Sequence, residues 1–542
     1  MPPEAAPGIV EQPHIDGGPT AHAELEVEEV KRLALRGLGA MILRSVGQRG
    51  LQMIGNILLA RWLAPETFGL YAIVSFVVGM AGFLSDLGIG ASLVQRRERL
   101  TEKDLRTAFT ANLILNLSMV ALLWILAGPL VRVYDVAAGN VTAIRAMSLT
   151  ILFSTFSAVP VIKLERELKF KQLSLTDIIG QLVYIGIAIP LAFRYRAPAF
   201  AERHAVEAVW VFIWASIASK GVNTIVLLIA SPWRPKLGLD RTSLREMMRF
   251  GLPFQLNGFV NAAKDNFVPT FIAFAAGARA VGFVIWAVGM VTNALFLMPI
   301  VSRITFPAFA RLQHDTAALR DAIEKSIRWI AAAVIPTTFL LAALARQIVE
   351  HVYGPKWEPG LPSFYLLCIP MINAAYSTVM VSALYSVGRA KVVLRLTLIW
   401  AAAGWALGVP LTLGIGQHGF ALAMSLVSWL SILSVREMNK VVKVHFVPAL
   451  IKISVLAAIP AILIGATARF VVRDAWTLTA MAAAGVLGYL ALMLASGELD
   501  EPLALIKRRL GKSPAPVAEG AVEHACDPHE TMPALWLPRP TS

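Results

Sequence analysis

Fourteen apolar runs, each close to the ~20 residues needed to cross a bilayer core, constrain this chain more than any other feature. They lie at about 35–62, 67–92, 107–131, 143–163, 173–195, 207–231, 249–275, 280–304, 325–349, 361–387, 392–415, 418–436, 448–470 and 476–496. Inside hydrocarbon every backbone N–H and C=O must find its partner within the protein, and runs of this length without strict alternation do so only as helices. The expected fold class is therefore all-α integral membrane. Composition agrees: 57% of residues are hydrophobic and 15% charged, with a mean hydropathy of +0.65, against roughly 25% charged residues in a soluble domain.

The net charge of +14 is not that of a nucleic-acid binder, because the basic residues sit in short clusters between the runs rather than on one surface. Clusters such as Arg96/Arg97/Arg99/Lys103, Lys163/Arg166/Lys169/Lys171, Arg234/Lys236/Arg241 and Lys507/Arg508/Arg509 recur after every second run. The alternate loops carry few cations, with Arg194, Arg196 and Arg203 the main exception. Lys and Arg are retained on the cytoplasmic face, so both termini are expected in the cytoplasm, as an even span count requires.

These patterns divide the chain into a cytoplasmic tail (1–33), an N-lobe of six spans (34–232), a polar and basic cytoplasmic linker (233–247), a C-lobe of six spans (248–440), two further spans (446–497) and a second cytoplasmic tail (498–542). The first tail is rich in Pro, Gly and acid and has no apolar core of the signal-peptide kind. An offset of 213 positions lays Gly69 on Gly282, Phe83 on Phe296 and Leu84 on Leu297. The same offset lays Arg44 on Asn257, Gln48 on Asn261 and Gln52 on Asp265, so rare polar residues fall in register as well. Six spans in each half make the repeat parallel, with a pseudo-twofold axis along the membrane normal and a substrate site expected between the halves.

Polar residues inside the spans mark that site. Arg44, Gln48, Gln52 and Asn56 follow at i, i+4, i+8 and i+12 and form one ridge of the first helix. Asn112 in the third span and Asn257, Asn261 and Asp265 in the seventh extend the polar lining. Arg49, Lys220 and Lys264 fall near mid-membrane, with Arg44 nearer the cytoplasm. A lone cation at the bilayer centre costs about 2.5–3.5 kcal/mol on insertion scales, so these side chains are expected to face inward. Two bland alternatives stay open: Arg44 paired with Asp86, and Lys264 offset by Asp265 or Asp177, while for the asparagines taken singly helix-to-helix hydrogen bonding explains more than a hydrophilic route does. On a count of mid-membrane residues the cations exceed the acids, which favours an anionic substrate held by Arg44, Arg49, Lys220 and Lys264. Arg96, Arg97 and Arg99 then form a cytoplasmic entry.

Enzymatic constellations are missing. The nine histidines lack metal-ligand spacing, the two cysteines describe no thiolate site, and no GxxxxGK[ST] phosphate loop occurs. No cofactor and no metal is expected, and coupling to a proton or sodium gradient is assigned to Asp265. A sugar polymerase or ligase would use a long outer loop, and none here exceeds about fifteen residues. An organic-cation antiporter is the rival within transport and would favour buried acids.

The stretch LLARWLAPETFGLYAIVSFVVGMAGFLSDLGIGASLVQRRERLTEKDLRTAF resembles the N-terminal signature of Wzx-type, WzxC-like polysaccharide flippases. RITFPAFARLQHDTAALRDAIEKSIRW, YGPKWEPGLPSFYLLCI and ALYSVGRAKVVLRL resemble their C-terminal half. The resemblance covers about residues 35–440 and implies the MOP exporter fold, two six-helix bundles around a cavity that opens alternately to either side. It implies a transporter rather than an enzyme, in a bacterial inner membrane, with an undecaprenyl-diphosphate-linked oligosaccharide as cargo. Lipid-linked repeat units of lipopolysaccharide O-antigen or exopolysaccharide are the expected kind, and a polysaccharide polymerase and glycosyltransferases are the expected partners.

Overall fold

The computed structural model describes residues 49–134, 140–249, 271–294 and 308–498, except positions 97, 99, 168 and 232, together with Gly47, Gly251, Leu252, Gln255 and Thr305. Among the described residues there is no strand. In chain order the helices are α1 (49–62), α2 (Pro65–Asp86), α3 (Ile89–Gln95), α4 (Glu102–Val133), α5 (Asn140–Arg166), α6 (Phe170–Phe193), α7 (Pro198–Arg203), α8 (Ala205–Ala230) and α9 (241–249). They continue as α10 (Ala273–Ala294), α11 (308–312), α12 (Thr316–Ile348), α13 (Leu361–Ser386), α14 (Ala390–Ile415), α15 (Gln417–Ser428), α16 (Ile432–Asn439), α17 (Val447–Val471) and α18 (Ala475–Ala495).

Twelve of these segments are long and apolar enough to span a membrane. They answer to every span read from the sequence except the first, whose beginning lies outside the described residues, and the seventh, most of which does. The segment that begins at Ala273 joins the end of the expected seventh span to the expected eighth. Gly277, with a φ of 77°, breaks the helix between the two, so the eighth span proper starts just after it.

Residues up to Val486 form one compact unit. The second unit starts at Leu487 and, among the described residues, is the end of α18, closed by a bond from the Glu498 N–H to the Met493 carbonyl.

Local chemistry fixes where the helices start and stop. Thr101 and Asp104 form a reciprocal capping box at the head of α4: the Asp104 N–H donates to the Thr101 hydroxyl at 3.2 Å and the Thr101 N–H to the Asp104 carboxylate at 3.0 Å. The 32 residues of α4 make it about 48 Å long at 1.5 Å per residue, so its polar first turn stands outside a ~30 Å hydrocarbon core. At the other end of α2, Leu87 and Gly88 both take left-handed conformations (φ 47° and 69°). Leu87 is the one non-glycine residue with positive φ among the described residues, and the double turn ends α2 directly after Asp86 and sends α3 off in a new direction.

The linker read from the sequence as a joint is folded back onto the N-terminal half. Trp233 is buried against Phe109, the Gly238 and Asp240 N–H groups donate to Thr110 and Thr107 at 3.0 Å each, and Met247 packs with Ile89 and Leu93.

The two halves meet along α2 and α10, where the 213-residue repeat becomes geometry. A Cβ on Gly69 would collide with the Ala278 carbonyl and reach 3.0 Å from the Gly282 N; one on Gly282 would collide with the Pro65 carbonyl and reach 3.3 Å from the Gly69 N. Pro65 and Ala278 are themselves 213 apart, as are Gly69 and Gly282. Each member of one pair touches the repeat equivalent of its own neighbour, which is the signature of an isologous contact across a twofold axis. At the far end of α2, Gly88 lies against Gly251, and Gln255 donates to the Phe83 carbonyl.

The loop between α12 and α13 closes the seam beside Gly69. Trp357, fully buried, donates through Nε1 to the Ala60 carbonyl at 2.9 Å and packs on Phe68, Phe283 and Trp286. Lys356 Nζ donates to the carbonyls of Arg61 and Leu63 at 2.9 and 2.7 Å. These are carbonyls at and just past the C-terminus of α1, where a cation is favoured by both the free acceptors and the helix dipole.

Candidate functional site

A cavity of about 850 Å³ opens within the N-terminal half, walled by α2, α4, α5, α6 and α8. It adjoins a second of about 760 Å³ through a neck that Asp86, Asn112 and Ala158 share. The second adjoins a third, of about 310 Å³, at Gln95, where Arg96 and Glu246 stand. The three follow one another from the middle of the N-terminal half to the end that carries α3 and α9; the first is polar, and the second is walled largely by Gly90, Ala91, Val94, Ala158, Val161 and Ile162.

Helix-to-helix hydrogen bonds set the wall. The Ser219 hydroxyl donates to the Gly180 carbonyl at 2.8 Å, and the Asn223 amide to the Thr176 carbonyl at 3.1 Å. These two bonds zip α6 to α8 and turn Asp177 and Lys220 towards the same cavity, close enough to attract one another. Across the cavity the Asn116 amide donates to the Thr155 hydroxyl at 2.8 Å, tying α4 to α5. One turn earlier on α4, Asn112 is 3% exposed. The left-handed break at Leu87 and Gly88 leaves Asp86 at the neck opposite it.

The sequence-derived site residues distribute as follows. Lys220 and Asn112 line the cavity. Arg49 is exposed on α1, twelve residues and so about 18 Å along the axis from Arg61 at the other end. Gln52 and Asn56 are also exposed on α1, and neither they nor Arg49 line the cavity. Arg44, Gln48, Asn257, Asn261, Lys264, Asp265, Arg97 and Arg99 lie outside the described residues.

On the described wall Asp86 and Asp177 face one lysine, Lys220, and the adjoining cavity adds Glu165; Arg44 and Lys264, counted in the expected excess of cations, lie outside the described residues. Asp177, one of the two alternatives left open to offset Lys264, is set against Lys220 by the α6–α8 zip. Arg96, expected to draw an anion in, is committed to Asp104 at 3.2 Å, Glu246 at 2.9 Å and Glu98 at 3.2 Å. Beside it Arg166 donates to the carbonyls of Leu93, Arg96 and Glu98, capping α3. The pair forms a structural collar joining α3, α4, α5 and α9. Gln181, Asp177 and Asp86 were missed as lining residues, although amides and carboxylates within apolar runs are the signal that singled out Asn112.

Among the described residues no cluster of His, Cys, Asp and Glu could hold a metal ion. Fold and cavity together define a multi-pass helical membrane protein of two related halves with a polar interior. Two solved structures share that fold. A lipid II flippase, MurJ, in an inward closed conformation superposes with a TM-score of 0.66 at 16% identity, over 87% of this chain and 99% of the other. An inward-facing multidrug resistance MATE family transporter of the MOP superfamily gives 0.53 at 16% identity, over 75% and 95%.

The chain belongs to the polysaccharide biosynthesis protein family, whose model matches residues 58–362. Its relatives include the lipopolysaccharide biosynthesis protein WzxC of Escherichia coli (24% identical, 59% of this chain and 63% of the relative) and the teichuronic acid biosynthesis protein TuaB of Bacillus subtilis (25%, 57% and 62%). The succinoglycan biosynthesis transport protein ExoT of Rhizobium meliloti matches at 24% over 68% and 72%. The chain thus spans a little over three fifths of the length of WzxC and TuaB.

Proposed function

We propose that this protein moves an undecaprenyl-diphosphate-linked oligosaccharide from the cytoplasmic to the outer leaflet of a bacterial inner membrane, with both termini in the cytoplasm. The observation that carries this reading is the polar cavity within the N-terminal half, with Lys220 in its wall, in a chain of this family. A diphosphate cannot cross hydrocarbon unaided, because desolvating an isolated ion costs tens of kcal/mol in the Born limit. A cavity that supplies hydrogen bonds and a cation removes most of that barrier while the prenyl chain stays in lipid.

Lys220 is the described residue suited to the diphosphate, with Arg44, Arg49 and Lys264 as the further cations. For Lys220 to hold the anion it must exchange Asp177 for it. The seam of Gly69 with Gly282, closed by Trp357 and Lys356, is then the outer gate, and the contact of Gly88 with Gly251 the inner one; the halves rock so that only one parts at a time. Asp265 is the site for a coupling proton or sodium ion. A polysaccharide polymerase and the glycosyltransferases that build the cargo are the partners this role entails.

The test is leaflet translocation of a diphosphate-linked lipid oligosaccharide in proteoliposomes, comparing wild type with Lys220→Ala, Arg49→Ala and Lys264→Ala at matched insertion. The expected result is flipping by wild type and loss in the Lys220 variant. Export of organic cations with no lipid movement would overturn the reading in favour of a cation antiporter, the function that Asp86 and Asp177 would otherwise serve.

A further inference from the structure

Resting on that function, the cavity says more about which sugars it takes. On its wall Asp86, Asn112, Gln181 and the buried Ser75 hydroxyl have no hydrogen-bond or ion-pair partner among the described residues. The other amides are spent, Asn116 on Thr155 and Asn223 on Thr176. Asn112 is the most telling, since it is 97% buried by its 3% exposure and yet lines both cavities at their neck. Its amide opens onto the cavity rather than being sealed in the packing, so it presents a donor and an acceptor to a hydrogen-bonding occupant.

We infer that the neck between the two cavities, formed by Asp86 and Asn112, is a subsite for an uncharged sugar ring of the cargo and discriminates against sugars that carry a carboxylate. A carboxylate accepts two or more hydrogen bonds, and an amide both donates and accepts; adjacent ring hydroxyls offer the complementary set. Charge sets the selectivity. On the described walls of the two cavities Asp86, Asp177 and Glu165 stand against Lys220, so a uronate in the neck meets like charge in a medium that screens it less than water does. Lys220, beside Asp177 on the α6–α8 side, is left for the diphosphate. The volume of about 850 Å³ lies within the range of roughly 300–1,000 Å³ seen for small-molecule sites.

The experiment uses the full chain in proteoliposomes with two probes: a diphosphate-linked prenyl trisaccharide of neutral hexoses, and its counterpart with one hexose oxidised at C6 to the uronate. Wild type is expected to flip the neutral lipid at least tenfold faster, Asp86→Asn to shrink that ratio below threefold, and Asn112→Asp to widen it. Equal rates for the two lipids with wild type, or a ratio unmoved by Asp86→Asn, would overturn the subsite while leaving the flippase reading intact. If neither lipid moves, the flippase reading fails, and binding of the soluble neutral and C6-oxidised trisaccharides to the detergent-solubilised protein, followed by saturation-transfer NMR, decides the subsite. Preferential binding of the neutral sugar that Asn112→Leu weakens and Asp86→Asn makes indifferent to charge supports it; no preference overturns it. Asp86→Asn preserves shape, so a folding defect in the Leu variant does not remove the test.

Discussion

Replacing Gly69 by Ala puts a single methyl group at the pseudo-twofold axis. The added Cβ would stand 2.6 Å from the Ala278 carbonyl carbon and 3.0 Å from the Gly282 N, against about 3.5–4.0 Å for carbon atoms at their optimum. Both neighbours are backbone, so no rotamer change relieves the overlap and α2 and α10 must part by roughly 1 Å. Overpacking of this kind costs about 1–3 kcal/mol. The better helix propensity of alanine is felt with the seam open or closed and offsets none of it. A penalty of roughly 1–3 kcal/mol against the closed seam is about a five- to hundred-fold change in the ratio of closed to open.

The readout is cross-linking between Glu202→Cys and Arg279→Cys, whose parent side chains form an ion pair across the seam at 3.5 Å, in a background lacking Cys368 and Cys526. Gly69→Ala is expected to lower the yield severalfold. Gly282→Ala, whose Cβ would stand 2.7 Å from the Pro65 carbonyl carbon, should do the same because the axis relates the two sites. Gly289→Ala, on the same helix with nothing within 4 Å of its Cβ, should cross-link like the parent. Parent-like cross-linking and unfolding temperature in both Gly69→Ala and Gly282→Ala would refute the reasoning.

Other variants probe the latch and the collar. Trp357→Ala is expected to cost about 3–5 kcal/mol as a large buried side chain is lost, and Trp357→Phe about 1–3 kcal/mol for the orphaned Ala60 carbonyl, both read by thermal unfolding in detergent. Lys356→Met should loosen α1 at Arg61 and Leu63, seen as faster amide exchange in residues 60–63. Arg96→Ala should destabilise by roughly 1–3 kcal/mol because Asp104, 4% exposed, loses its guanidinium; Arg96→Lys should recover only part, since an ammonium cannot fork among three carboxylates. Hydrogen bonds from the Ser243 N–H and then Lys103 hold the Asp240 carboxyl below its usual pKa, so its contribution is present above the unfolded carboxyl's value and disappears as pH falls through the depressed one. The gap in unfolding midpoint between wild type and Asp240→Asn should therefore close on acidification below pH ~4.

What the sequence determined by itself is what depends on local composition and period. Apolar runs of membrane length become helices because hydrocarbon leaves the backbone no other partner, and the 213-residue echo of Gly69 in Gly282 foretold two related halves. The capping box at Thr101 and Asp104 is also local, three residues apart. Cross-helix pairings were decided only by the tertiary structure. Asp177 and Lys220 are 43 positions apart in the chain, and the bonds of Ser219 to Gly180 and Asn223 to Thr176 bring them to one wall. Arg96 reads as a free cation until Asp104 and Glu246 are folded around it. Asn112, without a hydrogen-bond partner among the described residues, and Asn116, Asn223 and Asn373, each bonded across helices, share one residue type inside an apolar run. Which of them faces a cavity depends on what packs opposite, and a helix's own sequence does not encode its neighbour's rotation.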